Sequence, residues 1–195
     1  NIMKKLLLIL LCLPLLFITC KKEEEEPTNT GNNTNLAIGD TYQGGIIFYL
    51  DGNGGGLIAA PSDQSTGAEW GCYGTAISGA DGSGIGTGNQ NTIDILNGCS
   101  QSGIAADICA NLTLGGYSDW FLPSKGECQE MRFNIGKGDV LGLGNIGSFA
   151  DYNYWSSTEY GIGALIEGFY VTSPNPDGGD AYKNEDLYVR AIRAF

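Results

Sequence analysis

The stretch YSDWFLPSKGE, residues 117–127, carries the clearest local structural signal in the chain. A serine follows the proline, and a glutamate stands three residues later, so Ser124 and Glu127 have the spacing of a capping box. In that motif each side chain accepts a hydrogen bond from the backbone N–H of the other residue. The pattern predicts a helix that runs from about Lys125 to Phe133.

Two shorter helices are predicted upstream of this motif. Apolar residues recur with helical spacing over residues 92–96 and 103–112. Residues 74–90 are mostly Gly, Ser, Thr and Ala, which predicts a long loop held by its surroundings. The run GSGIGTG in that loop is similar to a phosphate cradle, but no lysine follows it and no strand closely precedes it, so we discount that interpretation.

Strand patterns occupy both ends of the domain. YQGGIIFYL (42–50) and GLIAA (56–60) flank a glycine-rich turn and predict an opening β-hairpin. Three later strands are predicted over residues 154–158, 164–171 and 187–192. Because strands bracket helices, we predict an α+β domain with antiparallel strands, two or three short helices and long glycine-rich loops.

The N-terminus has the pattern of an export signal. Lys4 and Lys5 precede an apolar stretch, residues 6–18, that is shorter than a membrane span and typical of a secretory signal. The sequence FITC, which ends at Cys20, is similar to a lipobox, in which the cysteine receives a lipid; an ordinary signal with an incidental cysteine is the alternative. We therefore expect a lipoprotein signal peptide at residues 1–19 and lipidation of Cys20.

Residues 20–40 are expected to form an acidic, flexible tether ahead of a domain at residues 41–195. KKEEEEP after Cys20 looks like the export signal that places some bacterial lipoproteins on the outer face of the outer membrane, although a solvated charged tether has the same composition. TNTGNNTN (28–35) has no apolar residue to bury. We expect a lipid-anchored protein of the bacterial outer membrane, exposed at the cell surface.

Composition restricts the partners and the chemistry. The formal net charge is −12, and once the two signal lysines are set aside eight basic residues oppose 22 acidic ones, so nucleic acid is a poor partner. The chain has no histidine, which removes the usual general base and the commonest nitrogen ligand for transition metals. Calcium sites built from oxygen remain open. A Ser-His-Asp arrangement cannot form, and we expect no catalytic residue and no enzymatic activity.

Four cysteines follow Cys20, and an oxidising envelope would allow up to two disulfides among them, in three pairings. Cys99 and Cys109 flank a short turn before a predicted helix, and we predict a disulfide between them. No CxxC spacing supports the alternative of a zinc site.

Seven ordered motifs from Tyr42 onward resemble the C-terminal domain of the collagen-like bacterial adhesin family. They are YQGGIIFYLD (42–51), AEWGCYGT (68–75), GTGNQNT (86–92), GIAADIC (103–109), GGYSDWFLPSKGE (115–127), YWSSTE (154–159) and VRAIRAF (189–195). WFLPSKGE, YWSS and VRAIR are also similar, more distantly, to the C-type-lectin-like and formylglycine-generating-enzyme superfamily. The cysteine pair that those enzymes use late in the chain has no counterpart, since no cysteine follows Cys128.

The resemblance implies a C-type-lectin-like fold, in which both chain ends meet in one hairpin region and a loop-rich face is displayed for ligands. It also implies adhesion or glycan binding, including glycosaminoglycans. This chain departs from the family in two ways, because it has no collagen repeat and its domain is acidic, whereas a sulfated ligand would favour a basic face.

Aromatic residues are frequent late in the chain, and aromatic rings surrounded by polar groups commonly hold sugars and protein partners. Apolar neighbours indicate that four of the large aromatic residues belong to the core: Trp120, Phe121, Trp155 and Phe169. The predicted ligand-binding residues are Tyr160, Asn175, Asp177, Asp180, Tyr182 and Asn184. Asp177 and Asp180 are also the candidate ligands of a calcium ion, and no other cofactor is expected.

These observations together predict a surface-anchored lipoprotein with a non-catalytic domain for adhesion and for recognition of a glycan or protein ligand. One alternative is a lectin-like receptor scaffold with hypervariable loops. Another is an envelope enzyme that acts on polysaccharide, with Glu159 and Glu167 as its two carboxylates. An oligomer is compatible with the sequence, although no coiled-coil or collagen segment would enforce one.

Overall fold

The computed structural model describes residues 35–171 and 178–195, and these form an α+β domain. The compact unit begins at Asn35. The signal peptide, Cys20 and the tether up to residue 34 lie outside the described residues.

Nine strands and three helices occur in the described ranges. The strands are β1 (Thr41–Tyr42), β2 (Gly45–Leu50), β3 (Gly56–Ala59), β4 (Ser65–Ala68), β5 (Asn153–Tyr160), β6 (Gly163–Gly168), β7 (Gly179–Tyr182), β8 (Leu187–Val189) and β9 (Ile192–Ala194). The helices are α1 (Gly88–Gly98), α2 (Ala105–Ala110) and α3 (Lys125–Asn134). One sheet has the order β1-β2-β3-β9 and the other β4-β8-β5-β6-β7, and only the β5-β8 pair is parallel.

The predicted opening hairpin is confirmed, and the C-terminal strand extends it. β2 pairs with β3 across a turn in which the Asp51 carboxylate accepts hydrogen bonds from the N–H groups of Asn53 and Gly55. β9 then pairs with β3, and the backbones of Gly56 and Phe195 exchange two hydrogen bonds. The last strand of the chain therefore lies against the first hairpin.

The strand predicted over residues 187–192 is divided between the two sheets. β8 belongs to the five-stranded sheet and β9 to the four-stranded one, with Arg190 and Ala191 between them. The Arg190 guanidinium turns inward, where it binds Asp63 and donates to the carbonyls of Ala60 and Gly147 at 2.8 Å each. A buried cation with these partners fixes the point at which the chain passes from one sheet to the other.

The three predicted helices are present. The capping box is confirmed, because the Ser124 N–H donates to Glu127 at 2.7 Å and the Ser124 hydroxyl accepts from the Glu127 N–H. α1 is longer than the apolar pattern indicated, since its first turn is polar, and α2 is shorter. Within the described ranges, none of these helices has the length and apolar character needed to cross a membrane.

Two hydrophobic clusters form the core. The first contains the three tryptophans Trp70, Trp120 and Trp155, and the second is built on aromatic residues of β2, β5 and the segments around them. The prediction that Trp120, Phe121, Trp155 and Phe169 belong to the core is confirmed, because all four are buried.

The predicted disulfide between Cys99 and Cys109 is wrong. Cys99 is bonded to Cys72, 27 residues earlier, and Cys109 is a buried thiol on the inner side of α2. Proximity in sequence was misleading: both cysteines lie in the first hydrophobic cluster, but Cys109 is held within α2, whereas Cys99 follows the end of α1, where Cys72 reaches it. Burial raises the pKa of the Cys109 and Cys128 thiols, so both stay protonated and unreactive at neutral pH.

Candidate ligand-binding face

Two tyrosines stand at the same level on one face of the five-stranded sheet. Tyr160 ends β5 and Tyr182 ends β7, and both pair with Gly163, which begins β6 between them. Residues paired across a sheet project to the same side, so the two phenol rings flank a position that has no side chain. Strands that are two apart lie about 10 Å from each other, so the two rings are separated by about the width of one strand on either side of Gly163.

Two further apolar side chains belong to the same area. The ring of Tyr73 meets that of Tyr182 edge to face at a centroid distance of 5.8 Å. Ile162 lies in the turn that joins β5 to β6. We call Tyr73, Tyr160, Ile162 and Tyr182 the tyrosine face; their exposed fractions range from 51% to 62%.

The structure describes four of the six predicted ligand-binding residues. Asp180, Tyr182 and Asn184 alternate outward along β7 and the turn after it, whereas Ala181 and Lys183 point into the domain. All three outward residues are exposed, as is Tyr160, the fourth. The remaining two predicted residues, Asn175 and Asp177, lie outside the described part of the chain.

Sequence reasoning missed Tyr73. It is far from the late aromatic residues in sequence, and only the fold brings it to Tyr182. The usable signal was its place directly after Cys72, since a disulfide-bonded loop in an exported domain is a rigid support for an exposed ring.

The loop that carries Tyr73 is fixed on one side by close packing. The Gly71 N–H donates to the Lys183 carbonyl at 3.0 Å, and a Cβ at Gly71 would lie 2.6 Å from Ile104. With a φ of +104°, this position favours glycine for conformational reasons as well. Cys72, the next residue, is bonded to Cys99.

A buried ion pair fixes the other side of this loop. The Lys183 ammonium pairs with the Glu159 carboxylate, donates to the Thr75 carbonyl at 2.7 Å and lies 4.4 Å from the centre of the Trp70 ring. Glu159 in turn accepts a hydrogen bond from the Ile77 N–H at 2.9 Å. The loop that carries Tyr73 is therefore held on both sides by contacts within the domain.

The domain has no excess of basic side chains to attract an anion. Every lysine and arginine in the described ranges is in an ion pair: Lys125 and Arg132 with Glu167, Lys137 with Asp151, Lys183 with Glu159, Arg190 with Asp63, and Arg193 with Asp119. Seventeen acidic residues oppose these six cations in the same ranges. The net negative charge of the domain would therefore repel a sulfated or phosphorylated ligand.

The glycine-rich run GSGIGTG is a packed structural loop. Its Gly86 N–H donates to the Glu127 carboxylate at 2.8 Å, and its Gly82 N–H donates to the Asn91 side chain at 3.2 Å. Burial raises the pKa of Glu127, while hydrogen bonds from the backbone of Ser124 and Gly86 act in the opposite direction. These N–H groups are already bound within the domain, so the structure does not favour a phosphate cradle here.

Glu159 and Glu167 do not form a pair that could flank a glycosidic bond. The strand register puts them on opposite faces of the five-stranded sheet. Glu159 is bound to Lys183, and Glu167 is fully buried beside Lys125 and Arg132. Each carboxylate stabilises the fold by neutralising a cation that is itself largely buried.

Metal ligands are not grouped in the described ranges: no three His, Cys, Asp or Glu side chains there are close enough together to hold an ion. The calcium site predicted at Asp177 and Asp180 falls partly outside those ranges and stays a prediction.

Comparison of the sequence with protein-family models and with curated proteins finds no match. The resemblance to the collagen-like adhesin domain therefore stays a prediction from the motifs. The candidate site is defined by its geometry alone.

Proposed function

We propose that the protein is a lipid-anchored surface protein whose domain binds a ligand at the tyrosine face without catalysing a reaction. The observation that carries the proposal is the row formed by Tyr160, Gly163 and Tyr182, with Tyr73 in contact with its end. A single exposed ring is ordinary, but exposed apolar side chains grouped on one surface are typical of binding sites, and this grouping supports a binding function.

An uncharged glycan is the ligand class that fits this surface best. Sugar rings pack their C–H faces on aromatic rings, and their hydroxyl groups bind nearby amides and carboxylates. Asp180 and Asn184 supply such groups beside Tyr182. The surplus of acidic residues disfavours sulfated and other anionic chains, which is the second reason for proposing a neutral one.

The C-type-lectin-like fold and the outer-membrane location are parts of the same proposal. Pairing of β9 with β3 supports the fold, because the resemblance implies that the two chain ends meet in one hairpin region. The signal pattern that ends at Cys20, followed by the charged run KKEEEEP, supports the location.

A glycan array tests this function on the domain of residues 35–195, which forms a compact unit with its own core. We expect binding to one or more neutral glycans and at least a tenfold loss of affinity in Tyr160→Ala and Tyr182→Ala. Tyr152→Ala is the matched control, because Tyr152 is 49% exposed but packs against Tyr188, outside the tyrosine face. Absence of binding to any glycan, or an equal loss in the control, would contradict the proposal.

A further inference from the structure

A second exposed apolar surface lies far in sequence from the tyrosine face. Four aliphatic side chains occur within seven residues, and their exposed fractions lie between 36% and 65%: Val140, Leu141, Leu143 and Ile146. No charged residue occurs from position 140 to 150. We call residues 140–146 the aliphatic loop. Single exposed aliphatic residues are ordinary, but four together on a soluble domain mark a contact surface.

The aliphatic loop projects from the domain. Gly142 and Gly144 both have a φ above +70°, and no atom lies within 4 Å of the place where a Cβ would stand on either. The base of the loop is seated on the N-terminal segment, because a Cβ at Gly39 would lie 3.2 Å from methyl groups of both Leu143 and Ile146. The side chains at the tip, Val140 and Leu141, are the most exposed of the four.

This position is next to the point where the chain enters the domain. Gly39 is four residues after Asn35, the start of the compact unit. If Cys20 carries the lipid, as proposed above, fourteen residues separate the acylated cysteine from Asn35. Even fully extended, fourteen residues reach no more than about 50 Å. The aliphatic loop would thus be held close to the membrane surface.

We propose that the aliphatic loop is a lipid-binding surface that inserts its exposed side chains into the bilayer beside the anchor. Tethering keeps the loop at an effective concentration near the millimolar range, so a small apolar area is sufficient for binding. Protein interfaces are enriched in aromatic residues and arginine, which the loop lacks. Self-association is also disfavoured by charge, because two copies of this acidic domain repel each other.

Tryptophan quenching in proteoliposomes tests the proposal on the full-length acylated protein. The three native tryptophans are buried and give a constant background. In vesicles of brominated phosphatidylcholine, we expect the added emission of a Leu141→Trp variant to be quenched at least twofold and shifted to the blue. An Ile162→Trp variant is the matched control, since Ile162 is an aliphatic residue on the tyrosine face that is at least as exposed as Leu141, and its added emission should be unchanged.

Vesicle flotation of the same samples separates failure of the anchor from failure of the loop. Protein that does not float with vesicles even when Cys20 is intact would contradict the proposed anchor, and the loop proposal would fall with it. Protein that floats but shows no quenching in Leu141→Trp, or equal quenching in Ile162→Trp, would overturn the loop proposal alone. If the protein forms a dimer without lipid and Leu141→Asp abolishes the dimer, the aliphatic loop is a self-association surface and the lipid-binding proposal is wrong.

Discussion

The tyrosine face and a buried aromatic cluster are both built largely on aromatic residues from the last third of the chain, yet they have opposite environments. This second group, which we call the Arg190 cluster, consists of the buried Phe149, Tyr154 and Phe169, the partly buried Tyr188, and Arg190 against the Phe149 ring. Its rings pack on one another at centroid distances of 4.2 to 5.6 Å. In the tyrosine face the rings point to solvent and share only one ring contact.

Both regions contain a buried cation paired with a carboxylate, and the position of that pair explains the difference. Arg190 lies 4.2 Å from the Phe149 ring and binds Asp63, which also accepts a hydrogen bond from Tyr154, so the ion pair is in direct contact with the aromatic rings. Lys183 and Glu159 lie beneath the tyrosine face, on the core side of the sheet. In the Arg190 cluster the aromatic rings stabilise the fold. In the tyrosine face the folded domain holds the aromatic rings at the surface.

The largest effect on stability is expected from Arg190→Met. Loss of the guanidinium leaves the Asp63 carboxylate without its cation and the carbonyls of Ala60 and Gly147 without a donor. Breaking such a buried pair should lower the free energy of unfolding by about 3 to 5 kcal/mol, measured by urea denaturation. Arg193→Met is the matched control: its partner Asp119 is mostly exposed, so the loss should be less than half as large. Equal losses would refute this view of the Arg190 cluster.

Removal of the disulfide should be the next largest effect and should act on the tyrosine face. The bond closes a loop of 27 residues, so the double variant Cys72→Ser/Cys99→Ser should lose about 3 kcal/mol of unfolding free energy. Ligand affinity should also fall, because the loop that carries Tyr73 becomes mobile. Thiol reductant should lower the stability and the ligand affinity of the native protein by similar amounts and should not affect the double variant. An effect of reductant on the double variant would rule out this bond as the cause.

Tyr154→Phe should have a smaller effect, of about 1 to 2 kcal/mol. The Tyr154 hydroxyl donates to Asp63 at 3.1 Å and accepts from the Ala150 N–H at 2.9 Å, and the phenylalanine removes both bonds. Tyr182→Phe is the corresponding change on the tyrosine face, where the ring is half exposed. Chemical denaturation of the two variants should show a loss in the first and no change beyond 0.5 kcal/mol, about the limit for surface substitutions, in the second.

The same hydroxyl predicts a pH dependence. Burial raises the pKa of Tyr154 above its ordinary value of 10.0, so the folded state holds this proton more tightly than the unfolded state does. The resulting stability is fully present below pH 10 and is lost as pH rises from there toward the folded-state pKa. The stability advantage of the native protein over Tyr154→Phe should therefore shrink above pH 10. A stability advantage that grows as pH rises above 10 would contradict this prediction.

Tyr182→Ala, which removes the whole ring, should also have only a small effect on stability. The side chain is half exposed and makes one edge-to-face contact with Tyr73, so thermal and chemical unfolding should change by no more than about 0.5 to 1 kcal/mol. A loss as large as that of Arg190→Met would show that the tyrosine face is a structural element.

Local features of this fold could be predicted from the sequence, because the interacting groups are close along the chain. Ser124 and Glu127 satisfy each other three residues apart, and the turn after β2 closes through Asp51 and residues just beyond it. These interactions join residues that are close in sequence, so they can be predicted without knowledge of the tertiary structure.

Long-range features could not be predicted in this way. The partner of Cys99 lies 27 residues away, and the contact of Tyr73 with Tyr182 depends on how the loop after β4 meets β7. The division of the last predicted strand at Arg190 depends on Asp63, a residue 127 positions earlier. β4 and β7, with sequences STGA and GDAY, are too short and polar to be recognised as strands without their partners.

The central claim is tested most directly by NMR. The ring signals of the ten tyrosines are followed while the protein is titrated with the neutral glycan that binds best on the array. We expect the signals of Tyr73, Tyr160 and Tyr182 to shift together with one dissociation constant, while those of Tyr154 and Tyr188 stay in place. Shifts confined to other tyrosines, or no shift at saturating glycan, would contradict the assignment of the tyrosine face as the binding site.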